Sequence, residues 1–364
     1  MKRWRSLLLV AATALVLIAA RQVLRRAGSP AAAAAPGAEW IWAETRGEAG
    51  APAAFFAVKD FALDFPVTHA ELRIVADEEF RATLNGRDFG AGSYPESGAL
   101  AAYSVGDVLG RRNRLLVELR SARGAGGLLA WLDVSGRGGR RQTVVSDGTW
   151  RVVRRFDESL PRPGSRFRGE PPRVWGPQPT GRWGRPTAVV DTLSLRGLQN
   201  GAWRPAVPAV RLGRHGAPWR VARPRATRPL GPWVRFDFGR ERTGYLTLRF
   251  ADRDSGRGFV YYELRRPPDG LAGYGDVVLR IAGRDHWTAS RPAKFRFVTV
   301  AGMPAVTRVE VIPVNPDKVA GLLAREPLPS LLGIERRGTL VSPVEDEIRG
   351  QLEGVPGLAR RKEG

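Results

Sequence analysis

The acidic run Asp77-Glu78-Glu79 is a dense set of hard-cation ligands. Ca2+ takes carboxylate oxygens together with backbone carbonyls, which makes Asp77 and Glu78 calcium candidates. The plainer reading is a solvated strand end, since acids are mostly exposed. Thiol and imidazole chemistry have little material. Cysteine is absent, and the three histidines, His69, His215 and His286, lie far apart. That excludes disulfides, thiolate metal sites and cysteine nucleophiles. Asp285-His286-Trp287 puts an acid beside an imidazole, but no G-x-S-x-G elbow accompanies it, so it reads as loop and packing. The glycine runs starting at Gly124 and Gly136 lack the strand, glycine loop and helix of a dinucleotide site and read as turns. Glycoside hydrolysis needs two carboxyls at a set separation across a cleft. No motif marks such a pair among the 36 acids. No cofactor is expected beyond a structural Ca2+.

Tryptophan is the more informative residue, with 11 copies. Sugars lay their C–H faces on exposed aromatic rings, so a tryptophan beside Asp, Asn or Arg suits a glycan. Trp40, Trp42, Trp175, Trp183 and Trp219 are the candidates, with Asp77, Glu78 and Asn85 as polar neighbours. The competing reading is that these rings are core and boundary packing. Trp175, Trp183 and Trp219 stand in Arg/Pro-rich surroundings, which favours exposure or a module boundary.

The elements that must carry these residues are strands. Leu72, Ile74 and Ala76 alternate with Glu71, Arg73 and Val75. Leu115, Val117 and Leu119 face one way, and Leu116, Glu118 and Arg120 the other. Asn85-Gly86 after Phe80–Leu84 is a hairpin signal, because both residues accept positive φ. Further along, Phe236/Phe238, Leu246/Leu248/Phe250 and Phe295/Phe297 repeat the period of two. With Gly 43 and Pro 28 as breakers, the chain reads as all-β: two antiparallel β-sandwich modules after an N-terminal membrane helix. The divisions are 1–26 signal-anchor or signal peptide, 27–38 Ala/Pro linker, 39–156 first sandwich, 157–185 Pro/Arg/Gly-rich connector, 186–314 second sandwich, and 315–364 tail. The tail holds one short helical segment at 342–348, with Ser342 as cap and Pro343 in its first turn.

Lys2, Arg3 and Arg5 precede an apolar run from Ser6 to Ala20, and Arg21, Arg25 and Arg26 follow it. This is an export signal. No small-residue cleavage site directly follows the apolar core, so the expectation is an uncleaved anchor, with a cleaved signal as the alternative. The expected place is a single-pass inner-membrane protein with its modules in the periplasm or outside the cell. The net charge is +22, with 20 arginines against 6 acids between Arg151 and Arg242. Such a stretch either meets phosphates and acidic polymers or is compositional drift on a solvated surface. Export argues against nucleic acid as the partner.

Several motifs, taken together, resemble a known family. They begin with Trp40-Ile41-Trp42, Phe55-Phe56, Lys59-Asp60-Phe61 and Ala76-Asp77-Glu78-Glu79-Phe80. Leu84-Asn85-Gly86, Gly106-Asp107-Val108-Leu109, Asn113-Arg114-Leu115-Leu116-Val117 and Asp147-Gly148-Thr149-Trp150-Arg151 follow. In order and spacing they resemble the N-terminal galactose-binding-like β-sandwich of bacterial α-L-rhamnosidases. Trp203-Arg204-Pro205-Ala206, Phe236-Asp237-Phe238-Gly239, Gly244-Tyr245, Tyr262-Glu263-Leu264, Trp287, Phe295-Arg296-Phe297-Val298 and Ala301-Gly302 resemble the accessory β-sandwich region of the same enzymes. The resemblance implies the fold and glycan binding. The family's catalytic carboxylates sit on an (α/α)6 barrel, for which residues 315–364 are too few. No catalytic residue is carried over, and the expectation leans away from an enzyme. The expected function is a membrane-anchored, non-catalytic carbohydrate-binding protein of the cell envelope. A structural or protein-interaction role is the alternative, and a divergent glycoside hydrolase stands behind both.

Overall fold

The computed structural model describes residues 37–44, 51–93, 100–179, 183, 189–191, 221–230, 233–265, 274–289, 292–303 and 305–313. Among them every extended element is a strand, and the only helical pieces are two three-residue 3-10 turns. The expected N-terminal membrane helix and the helix at 342–348 lie outside the described residues. No helix of the described residues is long and apolar enough to cross a membrane.

Twelve strands build the first unit. They are β1 (Glu39–Trp42), β2 (Ala53–Ala62), β3 (Val67–Asp77), β4 (Glu79–Leu84), β5 (Arg87–Ser93) and β6 (Leu100–Ser104). Then come β7 (Arg112–Ser121), β8 (Gly127–Gly136), β9 (Arg141–Val145), β10 (Arg151–Val153), β11 (Arg173–Pro177) and β12 (Val189–Asp191). One sheet has the order β11-β1-β8-β3-β6-β12, with β9 also on β8; the other runs β10-β2-β7-β4-β5. The two sheets face each other across a core that includes Phe55, Leu72, Ile74, Val117, Leu128 and Leu132. Period two decides which side chains enter it. Leu72, Ile74 and Ala76 are at most 1% exposed, as their alternation requires. Each large apolar side chain buried this way contributes roughly 1.5–3 kcal/mol.

Two features depart from the expected antiparallel sandwich. The edge strand β12 pairs with β6 in parallel. The segment read as a connector also supplies β11, which pairs with β1 from Glu39↔Pro177 to Trp42↔Arg173. Proline and arginine there hid an edge strand, where one side of the backbone needs no partner. The Asn85-Gly86 hairpin is as expected. It joins β4 to β5, with φ of 52° at Asn85 and 77° at Gly86.

The third sheet comprises β13 (Ala226–Leu230), β14 (Trp233–Phe250), β15 (Gly256–Glu263), β16 (Tyr274–Arg280), β17 (His286–Thr288), β18 (Ala293–Ala301) and β19 (Val306–Pro313). Its order is β13-β14-β18-β15-β16, with β17 and β19 also on β14. The 18-residue β14 serves both halves. Its first half pairs with β13 and β18, and its second half with β17 and β19. The break falls between Asp237 and Arg242, where the register with β18 shifts and Gly239 takes φ of 76°. The halves enclose Phe238, Leu246, Leu248, Tyr262, Trp287 and Phe295. The second module is therefore one sheet sharing a long strand, not two separate sheets.

The outer face of the β10-β2-β7-β4-β5 sheet is covered rather than solvated. Phe56, Val58, Leu116, Phe156 and Leu160 pack with Ile281, and Ala54 and Ala122 lie against Trp233, Phe259 and Leu279. All six residues of β4 are buried. The polar residues of this face meet in a buried ionic seam. Glu118 accepts hydrogen bonds from Arg120, the Nε–H at 2.8 Å, and from Arg284 Nη1 at 2.5 Å. Arg81 Nη2 donates to the Thr288 carbonyl at 2.7 Å. Burial would raise the Glu118 carboxyl, but Arg120, Arg284 and Arg81 hold it below the usual carboxylate range.

Candidate functional site

The predicted ligand residues are largely structural. Trp40 and Trp42 are 0% and 2% exposed. Trp42 donates Nε1–H to the Gly124 carbonyl at 3.0 Å and meets the Phe55 ring edge-on at 4.8 Å. Trp40 stacks on Trp183 at 4.7 Å, and Trp183 tilts against Trp175 at 6.1 Å. Trp183 donates Nε1–H to Asp77 Oδ2 at 2.8 Å. The fold thus brings Trp40, Trp175, Trp183 and Asp77 together, but as a packed cluster over Val75, Leu129 and Trp131. Of the two readings of Trp183, exposure or a boundary position, exposure does not hold: the ring is buried, and an enclosed ring offers no face to a sugar. Trp175 is half-buried, with the Arg173 guanidinium 4.0 Å above its ring. Trp219 lies outside the described residues.

Asp77 and Glu78 form no solvated strand end. Glu78 is 1% exposed. It accepts the Ala122 N–H at 2.7 Å and lies 3.3 Å from Arg123 Nε. Burial pushes its carboxyl up to about 7. Among the described residues no group of three or more His, Asp or Glu could hold a metal ion, so the calcium reading of Asp77 and Glu78 finds no cluster. Asn85 is a turn keystone. Its Nδ2 donates to the Val108 carbonyl at 2.7 Å and to Asn113 Oδ1 at 2.8 Å, and its Oδ1 accepts the Arg114 N–H at 2.9 Å.

Among the described residues an open groove lies where β10 runs into the segment read as a connector. After β10 the chain turns out at Asp157 and returns, so that Val152 and Glu170 exchange backbone hydrogen bonds at 2.8 and 2.9 Å. Gly169 permits this return, since a Cβ there would stand 2.8 Å from that of Arg151. Between outgoing and returning chain is a groove of about 610 Å3. That volume is within the range of about 300–1,000 Å3 usual for ligand sites. Its lining includes Arg154, Arg155, Arg166, Arg168, the half-buried ring of Phe167, and the carboxylates of Asp157 and Glu170.

Arg114 holds the returning wall in place. It projects from β7 and is 0% exposed. Its Nε and Nη2 grip Asp60 at 2.6 and 2.8 Å. Nη1 donates to the Leu160 carbonyl at 2.9 Å and to Ser165 Oγ at 2.6 Å, and Nη2 to the Ser165 carbonyl at 2.8 Å. All five guanidinium donors are thus used. The same guanidinium lies 4.5 Å from the centre of the Phe167 ring. Asp157 Oδ1 accepts the Ser159 N–H at 2.8 Å, and these bonds hold its carboxyl below the usual range. Glu170 is engaged by Arg154 Nε at 2.7 Å. Sequence reading marked this stretch as basic but missed Arg114, because its partners are 46 to 54 positions away.

No family model matches the chain, and no curated relative matches it. Among solved structures it is similar to the α-L-rhamnosidase from Dictyoglumus thermophilum, at 14% identity and a TM-score of 0.49. That match covers 76% of this chain and 35% of the other. The Streptomyces avermitilis α-L-rhamnosidase complexed with L-rhamnose matches at 17% identity and 0.48, over 73% of this chain and 29% of its own. A lectin from Pleurotus ostreatus matches at 17% identity and 0.38, over 76% of each chain. The chain therefore spans about a third of the rhamnosidases it resembles, and only that part of their fold is matched.

Proposed function

We propose that this chain is an exported, non-catalytic carbohydrate-binding protein of the cell envelope, with the glycan held in the groove beside β10. The observation that carries the reading is the groove itself. It is open, of ligand size, edged by guanidiniums around a half-buried ring, and walled by a loop fixed through Arg114. The apolar run between basic flanks at the N-terminus supports export and an inner-membrane anchor.

The carboxylates that line the groove support the non-catalytic reading. Hydrolysis of a glycoside needs one carboxyl kept protonated as general acid. Asp157 is held in the opposite direction, and Glu170 is engaged by Arg154. A protein-binding role in the envelope is the second reading, favoured by the burial of Trp40, Trp42 and Trp183, which removes them as stacking platforms.

A glycan array probed with detergent-solubilised full chain tests the proposal. Binding to at least one envelope-type glycan, with no release of aryl rhamnoside above a buffer blank, is the expected result. An empty array moves the assignment to the protein-binding reading.

A further inference from the structure

We infer that the groove beside β10 selects anionic sugars, taking a carboxylate or phosphate group between Arg155, Arg166 and Arg168. This rests on the glycan-binding reading and names the class of glycan. Arg155, Arg166 and Arg168 are all exposed and line one groove. None of the three forms an ion pair among the described residues, while their neighbour Arg154 is spent on Glu170 and the Glu44 carbonyl. With Glu170 offset by Arg154, Asp157 is the one further carboxylate on the lining, so the three like charges leave the groove with net positive charge.

The local backbone explains their direction. From Arg166 to Arg168 the exposure runs exposed, half-buried, exposed. Phe167 turns in beneath Arg114 and leaves the flanking guanidiniums free. A guanidinium presents paired N–H donors that match a carboxylate or phosphate edge, so an acidic sugar gains charge-assisted bonds that a neutral one cannot make. Asp157, on the same lining, disfavours anions at its own end and directs the acidic group toward the arginines. Because the arginines are exposed, the selection should weaken as salt rises.

Calorimetric titration of the full chain tests this with four probes: a short oligogalacturonate, a phosphorylated oligosaccharide, a neutral oligosaccharide of equal length, and a single-stranded oligonucleotide of equal charge. Either acidic sugar should bind at least about tenfold more tightly than the neutral one. That advantage should shrink severalfold between low and high salt, and shrink similarly in an Arg166→Gln/Arg168→Gln variant whose melting temperature is unchanged. The two acidic probes separate uronate from phosphate as the source of the anion. Equal binding of neutral and acidic sugars, unaffected by the variant, overturns the anionic assignment and leaves glycan binding standing. An oligonucleotide that binds more tightly than both acidic sugars also overturns it, as a general polyanion surface. Failure of all three sugars overturns the glycan reading and this inference together.

Discussion

Arginine does opposite work in two regions of this protein. In the seam against the third sheet, Arg120 and Arg284 are 4% and 8% exposed and are spent on Glu118, with Glu79 also 3.4 Å from Arg120. In the groove beside β10, Arg155, Arg166 and Arg168 are exposed and form no ion pair among the described residues. The side chain is the same, and the solvent and the partner differ. A charge sealed beside its counter-charge holds two parts of the molecule in register. A charge left open at a concave surface is available to something else. Arg114 joins the two behaviours: it is sealed itself and fixes the wall along which the open ones stand.

The sharpest way to break this contrast is to disturb the sealed side. Glu118→Gln keeps the shape but leaves Arg284 without its anion and Arg120 with only Glu79, at 3.4 Å. A loss of about 3–5 kcal/mol is expected, read by urea denaturation. A loss under about 1 kcal/mol would show that the seam is hydrated and that the two regions are alike.

The next effect is a change in pH profile. The folded protein raises the Glu78 carboxyl from 4.5 to about 7. Its contribution is therefore full below pH 4.5 and lost as pH rises to 7. His286 is lowered from 6.5 to about 4 by burial and by Arg284, against the pull of Asp285. Its contribution is present above pH 6.5 and lost as pH falls to 4. Each amounts to about 3 kcal/mol, so the two offset each other between pH 4.5 and 6.5. In Glu78→Gln the His286 slope is no longer opposed, and stability should climb by about 3 kcal/mol from pH 4 to 6.5, the lowered carboxyls of Glu118 and Asp285 adding to the climb at its acid end. Urea midpoints measured at stepped pH, level in the parent and sloped in the variant, check it.

Arg114→Met removes the clamp while keeping part of the stem. A cost of about 2–3 kcal/mol is expected, with weaker glycan binding because the groove wall loosens. Proteolysis within 157–170 should rise, and unchanged cleavage there would show that the wall holds without the clamp. The smallest effect on stability belongs to Arg166→Gln/Arg168→Gln, within about 0.5 kcal/mol of the parent. A melting shift beyond that would mean that these arginines are structural after all.

Much of the architecture is legible along the chain because it depends on near neighbours. Leu72, Ile74 and Ala76 enter the core by period two, and Asn85-Gly86 makes its hairpin from its own backbone preferences. The same alternation placed Glu118 and Arg120 opposite Leu115 and Val117, correctly. It could not say that the third sheet covers that opposite face, since polar residues on one face ordinarily mean water. The tryptophans were open to two readings for a related reason. An aromatic ring suits a sugar platform and a core equally well, and only the stacking of Trp40 on Trp183 separates the two uses.

By itself the sequence determined the strand-rich fold, the absence of thiol chemistry, the hairpin at Asn85-Gly86 and the excess of positive charge after Arg151. These follow from residue type and from spacings of one to four positions. Only the tertiary structure decided which arginines are sealed and which are free. Arg284 reaches Glu118 across 166 positions of chain, and Arg114 reaches Ser165 across 51. Burial and pairing at such distances are set by how the sheets pack, and no local pattern encodes them.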